Sequence, residues 1–362
     1  RNTPIHGTGQ AILADGSLEK RCGYARALSL PADVRAIWSG EVDGVASLFV
    51  LAGDTVYLAN PDIREYSALL TVGTSDGSAC FFQVEGRLYL IDGRDVYSVT
   101  RNGGSAVEGY VPLYGREWAH TGGPVNEPIN QLSEYIRITY VLSESSASSV
   151  NTGVAAQSVI SLFINGTRVT SGYSLNGKTL NLGTTHPLNT RIEVCLHIGS
   201  SHNERSALSA CTGAAVFGGK YDNSVYCFGG ADRSRVFRSK YVGAADLARS
   251  KMHVPASCGL YFPVGYDFLV ASGSADVRAI CRHYDRLLLF SADETRVTDL
   301  SEDSYQDMPE RPVNSGVGCI SAGGVVLCDN DPVTVSRDGI YRWTSNTDER
   351  DESNARKISG PL

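Results

Sequence analysis

Two segments of the chain align without a gap at an offset of 40 residues. One is Leu48-Phe49-Val50-Leu51-Ala52-Gly53-Asp54-Thr55-Val56-Tyr57, the other Leu88-Tyr89-Leu90-Ile91-Asp92-Gly93-Arg94-Asp95-Val96-Tyr97. Each reads as a β-hairpin. Four apolar residues make a buried strand, a Gly-containing turn reverses the chain, and a Val-Tyr pair opens the return strand. Glycine supplies the positive φ that such turns need. Repetition with a period of roughly 40 to 50 residues is the mark of a propeller or array. A solenoid would need helix pairs or shorter strand repeats, and neither is present.

Further strands follow the same logic. Val34 to Trp38 leads into the first copy and Cys80-Phe81-Phe82-Gln83-Val84 into the second. Ala11 to Arg21 reads as a hairpin turning at Asp15-Gly16, placed to pair with the last repeat and close a ring, since closure removes exposed strand edges. From about Trp118 the period is lost. Thr121 to Ser133 is rich in Gly, Pro and Asn and reads as a linker. Short strands then come at Tyr135–Val141, Val159–Ile164, Tyr173–Leu175, Thr179–Leu182 and Arg191–Ile198, with Asn165-Gly166 and Asn176-Gly177 as two-residue hairpin signals. That is the pattern of a compact β-sandwich. The tract from Ser143 to Thr152 reads as an exposed, mobile loop.

The repeat resumes at Ala214–Gly219, with Val225–Phe228 and Val236–Ser239, then Asp267–Val270 and Val277–Ile280 as the start of another blade, Leu287–Phe290 and Arg296-Val297, and finally Val325–Leu327, Val333–Ser336 and Ile340–Trp343. Asp246 to Lys251 is the one clear helical turn, and Thr344 to Lys357 reads as a polar surface segment. Subtracting a sandwich of ~90 residues leaves room for about six blades of ~45 residues. The expected fold is therefore all-β: a β-propeller of about six blades (residues 1–117 and 213–362) interrupted by an inserted β-sandwich domain (residues 118–212).

Composition limits the function. The 362 residues carry a formal net charge of -7, with 20% charged residues, which is not the clustered basic footprint of a nucleic-acid binder. No apolar run approaches the ~20 residues of a membrane helix, and no signal peptide is legible. The nine cysteines (Cys22, Cys80, Cys195, Cys211, Cys227, Cys258, Cys281, Cys319 and Cys328) are scattered without zinc spacing. Several lie in apolar strand patterns and read as buried free thiols, which implies assembly in a reducing cytoplasm.

Motifs with catalytic overtones have simpler readings. Gly73-Thr74-Ser75-Asp76-Gly77 matches the G-x-S-x-G of a hydrolase nucleophile, but a strand follows where that chemistry needs a helix. Ser336 to Trp343 resembles a sialidase Asp-box with its Gly one position early, and reads as a hairpin turn. Asn165-Gly166-Thr167 matches a glycosylation acceptor, but its turn chemistry reads as a hairpin. The histidines (His6, His120, His186, His197, His202, His253 and His283) form no metal-ligand pair beyond a loose His197/His202 spacing. Asp329-Asn330-Asp331 lacks EF-hand spacing, and no G-x-G-x-x-G lies between strand and helix. The reading is a non-enzyme with no catalytic, cofactor or metal residues.

Certain segments resemble a known family. Gly16-Ser17-Leu18-Glu19-Lys20-Arg21-Cys22-Gly23 is similar to the Gly-x-Leu-x-x-Arg-Pro-Gly opening of phage tail-nozzle or stabilisation virion proteins, with Cys22 in the place of proline. Val216–Gly219 followed by Arg235–Ser239 resembles that family's middle blade, and Val317–Ser321 with Val335–Tyr341 its closing blade. The resemblance implies a structural virion protein: a subunit of a homo-oligomeric ring, a hexamer, in a phage tail tube or nozzle. It would be assembled in the host cytoplasm, contact other tail or portal-adaptor proteins, and form part of the DNA ejection conduit without binding DNA specifically or touching a membrane. The alternative is a glycan-binding or sialidase-like propeller with a receptor-binding role.

Overall fold

The computed structural model describes residues 10–12, 18–20, 28–218, 223–299, 309–344 and 354–359, with 10–12, 18–20, 218, 223 and 299 as backbone. The fold is all-β, as expected. Five four-stranded antiparallel sheets form, each a meander whose strand order is its sequence order. The first sheet comprises Val34–Val42, Val45–Ala52, Thr55–Asn60 and Glu65–Thr71, and the second Cys80–Val84, Arg87–Ile91, Val96–Thr100 and Gly103–Ala106. The third uses Gly213–Gly218, Asn223–Phe228, Arg235–Arg238 and Phe268–Leu269, the last of which closes this sheet beside Arg235-Val236 rather than starting the next one. The fourth uses Ala279–His283, Arg286–Phe290, Thr295–Asp299 and Glu310–Asn314, and the fifth Val325–Cys328, Asp331–Ser336, Gly339–Trp343 and Ala355–Lys357. Among the described residues Gln10–Ile12 and Leu18–Lys20 pair only with each other, and the Asp15-Gly16 turn between them lies outside the described residues.

The sheets pack face to face in chain order, and the two-residue period of a strand explains how. In the second sheet Leu88, Leu90, Tyr97 and Val99 point at Phe49, Leu51 and Val56 of the first. The intervening Tyr89, Ile91 and Val96 point the other way, at Val225, Cys227 and Phe237 of the third. The third sheet then presents Tyr226, Phe228 and Val236 to Leu287 and Leu289 of the fourth. Leu288, Phe290 and Val297 of the fourth in turn meet Trp343 of the fifth. Each central strand is thus apolar on both faces, which is why the repeat reads as a continuous apolar run rather than an alternating one. First strands of neighbouring sheets approach one another along the series.

Between the second and third sheets the chain builds a separate pair of sheets. Leu113–Trp118, Tyr135–Val141, Arg191–His197, Ser158–Ile164 and Thr167–Val169 lie side by side in that order, the first pair parallel and the rest antiparallel. Ala147–Asn151, Thr179–His186 and Ser174–Asn176 form the facing sheet. One core fills the space between them, with Ile136, Ile138, Tyr140, Leu162 and Val194 on one side and Val150, Leu180 and Leu182 on the other. This unit begins at Leu113, ahead of the expected start at 118.

Several local expectations are corrected. The Ser143–Thr152 tract is not a loop throughout: Ala147–Asn151 is a strand, because Val150 is buried opposite Leu180. The Thr121–Ser133 segment ends in a buried strap rather than a solvated linker. Asn130 donates from Nδ2 to the carbonyls of Tyr110 (2.8 Å) and Leu260 (3.0 Å), and its Oδ1 accepts from the N–H groups of Leu132 (3.1 Å) and Phe262 (2.9 Å). Every bonding position of that amide is filled, so its desolvation is offset while it ties insert and body together. Ala355–Lys357, expected in a polar surface segment, is the fourth strand of the fifth sheet, while residues 345–353 lie outside the described residues. The helical turn runs over Ala244–His253, and a shorter helix, Arg205–Ser209, precedes the third sheet.

Candidate functional site

The five-stranded sheet of the insert turns one face to its own core and the other to helix Ala244–His253. Strand alternation puts Ile136, Ile138, Ile192, Val194 and Leu162 in the core, so Arg137, Glu193, Ser161 and Phe163 face the helix. There His253, at the helix C-terminus, joins two strands. Its Nδ1 lies 2.6 Å from Ser161 Oγ and its Nε2 3.2 Å from Glu193 Oε1, and the Phe163 ring stands edge-on at 5.8 Å. The His253 hydrogen bond holds the Glu193 carboxyl below its ordinary range.

Ser, His and Glu in hydrogen-bonded series are the parts of a hydrolase triad. The surroundings do not fit that use. Ser161 lies mid-strand and is buried, and the His253 side chain is almost fully enclosed, so a substrate carbonyl has no approach to Oγ. A cleft of about 490 Å³ opens elsewhere, on the first sheet, beside Ser39, Leu48, Ala59, Asn60, Asp62 and Arg101. The arrangement instead fastens insert to helix. Beside it, the buried Arg137 donates from Nε to the Val111 carbonyl (3.1 Å) and from Nη2 to Tyr110 Oη (3.1 Å). Tyr110 in turn donates to Glu127 Oε2 (3.1 Å), which also accepts from the Leu113 N–H (2.6 Å). Ser250 Oγ accepts from the Val111 N–H at 3.0 Å. Sequence reasoning missed this junction. Its signal was the polar residues Arg137, Ser161 and Glu193 at alternate positions of strands whose other positions are apolar.

The motifs singled out from sequence fall in structural places. Gly73–Gly77 connects the first and second sheets, with Arg35 donating to the Thr74 carbonyl (2.7 Å) and Arg94 to the Gly73 carbonyl (3.2 Å), and a strand follows it. In the Asp-box-like segment, Arg337-Asp338 is a hairpin turn. Tyr341 Oη donates to Asp338 at 2.7 Å, and Trp343 Nε1 donates to Thr334 Oγ1 at 3.0 Å inside the core. Asp329-Asn330 forms a turn at positive φ, and Asp331 accepts from Arg342 (2.9 Å). Among the described residues no group of three or more His, Cys, Asp or Glu is placed to hold a metal. His197 pairs with Glu134 (3.0 Å), and His202 lies in the short turn Ser200–His202. The described cysteines are free thiols. Burial pushes Cys195, Cys211 and Cys281 up to about 12 and Cys258 to about 11, so they are protonated and inert. Cys328 departs from its expected burial and is exposed, while His6 and Cys22 lie outside the described residues.

A second feature is the outward face of the fifth sheet. Thr334, Tyr341 and Trp343 point at the fourth sheet, so Val333, Val335, Ile340 and Val326 point away from it. Val335 is 39% exposed, Ile340 directly opposite it 40%, and Ile358 beyond them 51%. Arg342 and Arg356 stand on the same face, in the row of Val326 and Val333.

No family model matches the chain, and no curated protein matches it in sequence. Among solved structures it is similar to the extracellular domain of a hybrid two component system from B. thetaiotaomicron. The identity is 9% and the TM-score 0.38, over 92% of this chain and 37% of that one. The chain thus spans well under half of that structure, and a likeness at this level carries no functional argument.

Proposed function

We propose that the protein is a non-enzymatic, ring-forming subunit of a phage tail tube or nozzle. In this reading the face-to-face sheets are blades of a β-propeller and the insert is a domain clamped against them. The observation that carries the reading is the exposed face of the fifth sheet. Val326, Val335 and Ile340 form a contiguous apolar patch with Arg342 and Arg356 beside it, as suits a contact between subunits. The resemblance of the Gly16–Gly23 opening and of the middle and closing repeats to nozzle and stabilisation proteins supports the same role. A ring needs side-to-side contacts between unlike patches, closing by rotation. A conduit for DNA should not retain phosphates, and a net charge of -7 agrees with that.

The test is the mass of the purified protein under native conditions, with electron microscopy of virions that contain it. A closed ring on the tail axis, and DNA binding no better than background at ~150 mM salt, is expected. A monomer that binds or cleaves glycans would overturn the proposal in favour of the receptor-binding alternative.

A further inference from the structure

We infer that the N-terminal hairpin, Gln10–Ile12 with Leu18–Lys20, docks on the outer face of the first sheet, where a preceding sheet would lie. The repeat itself makes the argument. Leu88, Leu90, Tyr97 and Val99 are the residues by which the second sheet packs on the sheet before it. At the 40-residue offset their counterparts are Leu48, Val50, Tyr57 and Ala59. The register places these four on one face: Leu48 pairs with Ala59 and Val50 with Tyr57. That face is turned away from the second sheet, because Phe49, Leu51 and Val56 occupy the other one.

The first sheet therefore carries the surface for packing on a predecessor, and no described sheet packs there. Yet its centre is covered: Val50 is 4% exposed, Tyr57 8% and Ala59 6%, while Ile37 at the rim is 64% exposed. The cleft beside Ser39, Leu48 and Ala59 opens on the same face. The segment that leads directly into this sheet is the chain just before Val34. Among the described residues its two hairpin strands pair with each other alone, and Ile12 sits opposite Leu18 in their register. Thirteen residues separate Lys20 from Val34, and at about 3.3 Å each they span far more than the ~10 Å between packed sheets. Tethered docking of this kind is favoured by a high effective concentration. It does not depend on what the protein assembles into.

The experiment uses the full chain with Cys22→Ser, Cys328→Ser, Ser39→Cys and either Glu19→Cys or Lys20→Cys, so that the exposed native thiol Cys328 does not compete. Ser39 is an exposed position in the row of Leu48 and Ala59, and Glu19 and Lys20 are consecutive positions of the second hairpin strand. A thiol cross-linker spanning about 10 Å should join position 39 to the hairpin within one chain. A mixture of isotopically heavy and light protein distinguishes that from a link between chains. In parallel, hydrogen exchange at residues 10–12 and 18–20 should be slow in the parent and at least about tenfold faster in Ile37→Asp, with the second sheet unchanged. No link with both thiols reactive, a link only between heavy and light chains, or exchange insensitive to Ile37→Asp would overturn the inference.

Discussion

Ser161 Oγ and His253 Nδ1 lie 2.6 Å apart across the boundary between the inserted sheets and helix Ala244–His253. With Glu193 on Nε2, both ring nitrogens are engaged. The imidazole is thus held in one orientation, and the Ser161 hydroxyl can donate to a neutral ring or accept from a charged one. His253→Ala leaves two polar groups facing a void and should lower stability by about 2 to 3 kcal/mol. Ser161→Ala removes one partner at a site of similar size and should cost about 1 kcal/mol. Chemical denaturation checks both values. The double variant should fall short of their sum, because the residues share one bond.

Acid should act on the molecule in two stages. Burial pushes the His283 imidazole below its ordinary 6.5, with Arg286 acting in the same direction and Asp331, 3.9 Å away, opposing. The folded state thus binds the proton more weakly than the unfolded state. The stability from neutral His283 is complete above pH 6.5 and is lost as pH falls from there through the depressed value. Glu193, depressed from 4.5 by its His253 bond, follows the same sign at lower pH: its contribution is present above 4.5 and lost as pH falls through the folded value. Thermal melts between pH 8 and pH 3 (about 0.5 apart) should show both declines. Glu193→Gln should remove only the second, and His283→Gln only the first.

The two copies of the repeat should respond unequally to the same substitution. Leu88 is fully buried against the first sheet, whereas its counterpart Leu48 is half-buried on the outer face. Leu88→Ala should cost about 2 to 5 kcal/mol and Leu48→Ala about 1 to 2 kcal/mol. Val56 and Val96 are both buried and should be alike, at about 1 to 3 kcal/mol each for Val→Ala. Equal costs for the two leucines would mean that Leu48 meets a partner as complete as the first sheet.

The strands were legible where one short-range pattern decides them. Val45–Ala52 and Arg87–Ile91 announce themselves as apolar runs ending in Gly53 and near Gly93, both at positive φ. The insert's hairpins were marked by Asn165-Gly166, whose turn the structure keeps, and by Asn176-Gly177, where the turn falls one residue later, at Gly177-Lys178, because Asn176 pairs with Thr179. Features that depend on distant partners were not legible. Ala147–Asn151 carries only Val150 as an apolar anchor, and its strand state comes from Thr179–His186 alongside. Ala355–Lys357 is short and basic, and it is a strand because Gly339–Trp343 offers an open edge. The clasp lay beyond reach for the same reason. Nothing local links Ser161, Glu193 and His253, which the topology brings together from two strands and a helix 60 residues past Glu193.

The assembly proposed above should depend on the outer face of the fifth sheet. Val335 and Ile340 oppose each other across two strands and present their side chains to solvent. Replacing both with Asp removes apolar area from the patch while leaving the Trp343 side of the sheet untouched. Because each side chain is about two-fifths exposed and sits in a central strand, unfolding free energy should fall by about 1 to 2 kcal/mol per site. If the patch joins subunits, the same pair of charges must be desolvated in the contact, which disfavours it strongly. The Val335→Asp/Ile340→Asp variant should therefore still unfold in one cooperative transition, at a somewhat lower temperature, yet sediment as a monomer at concentrations where the parent forms its ring. Arg342→Glu should weaken the ring chiefly at low salt, where exposed charges are least screened. A variant that still assembles would place the contact on another surface.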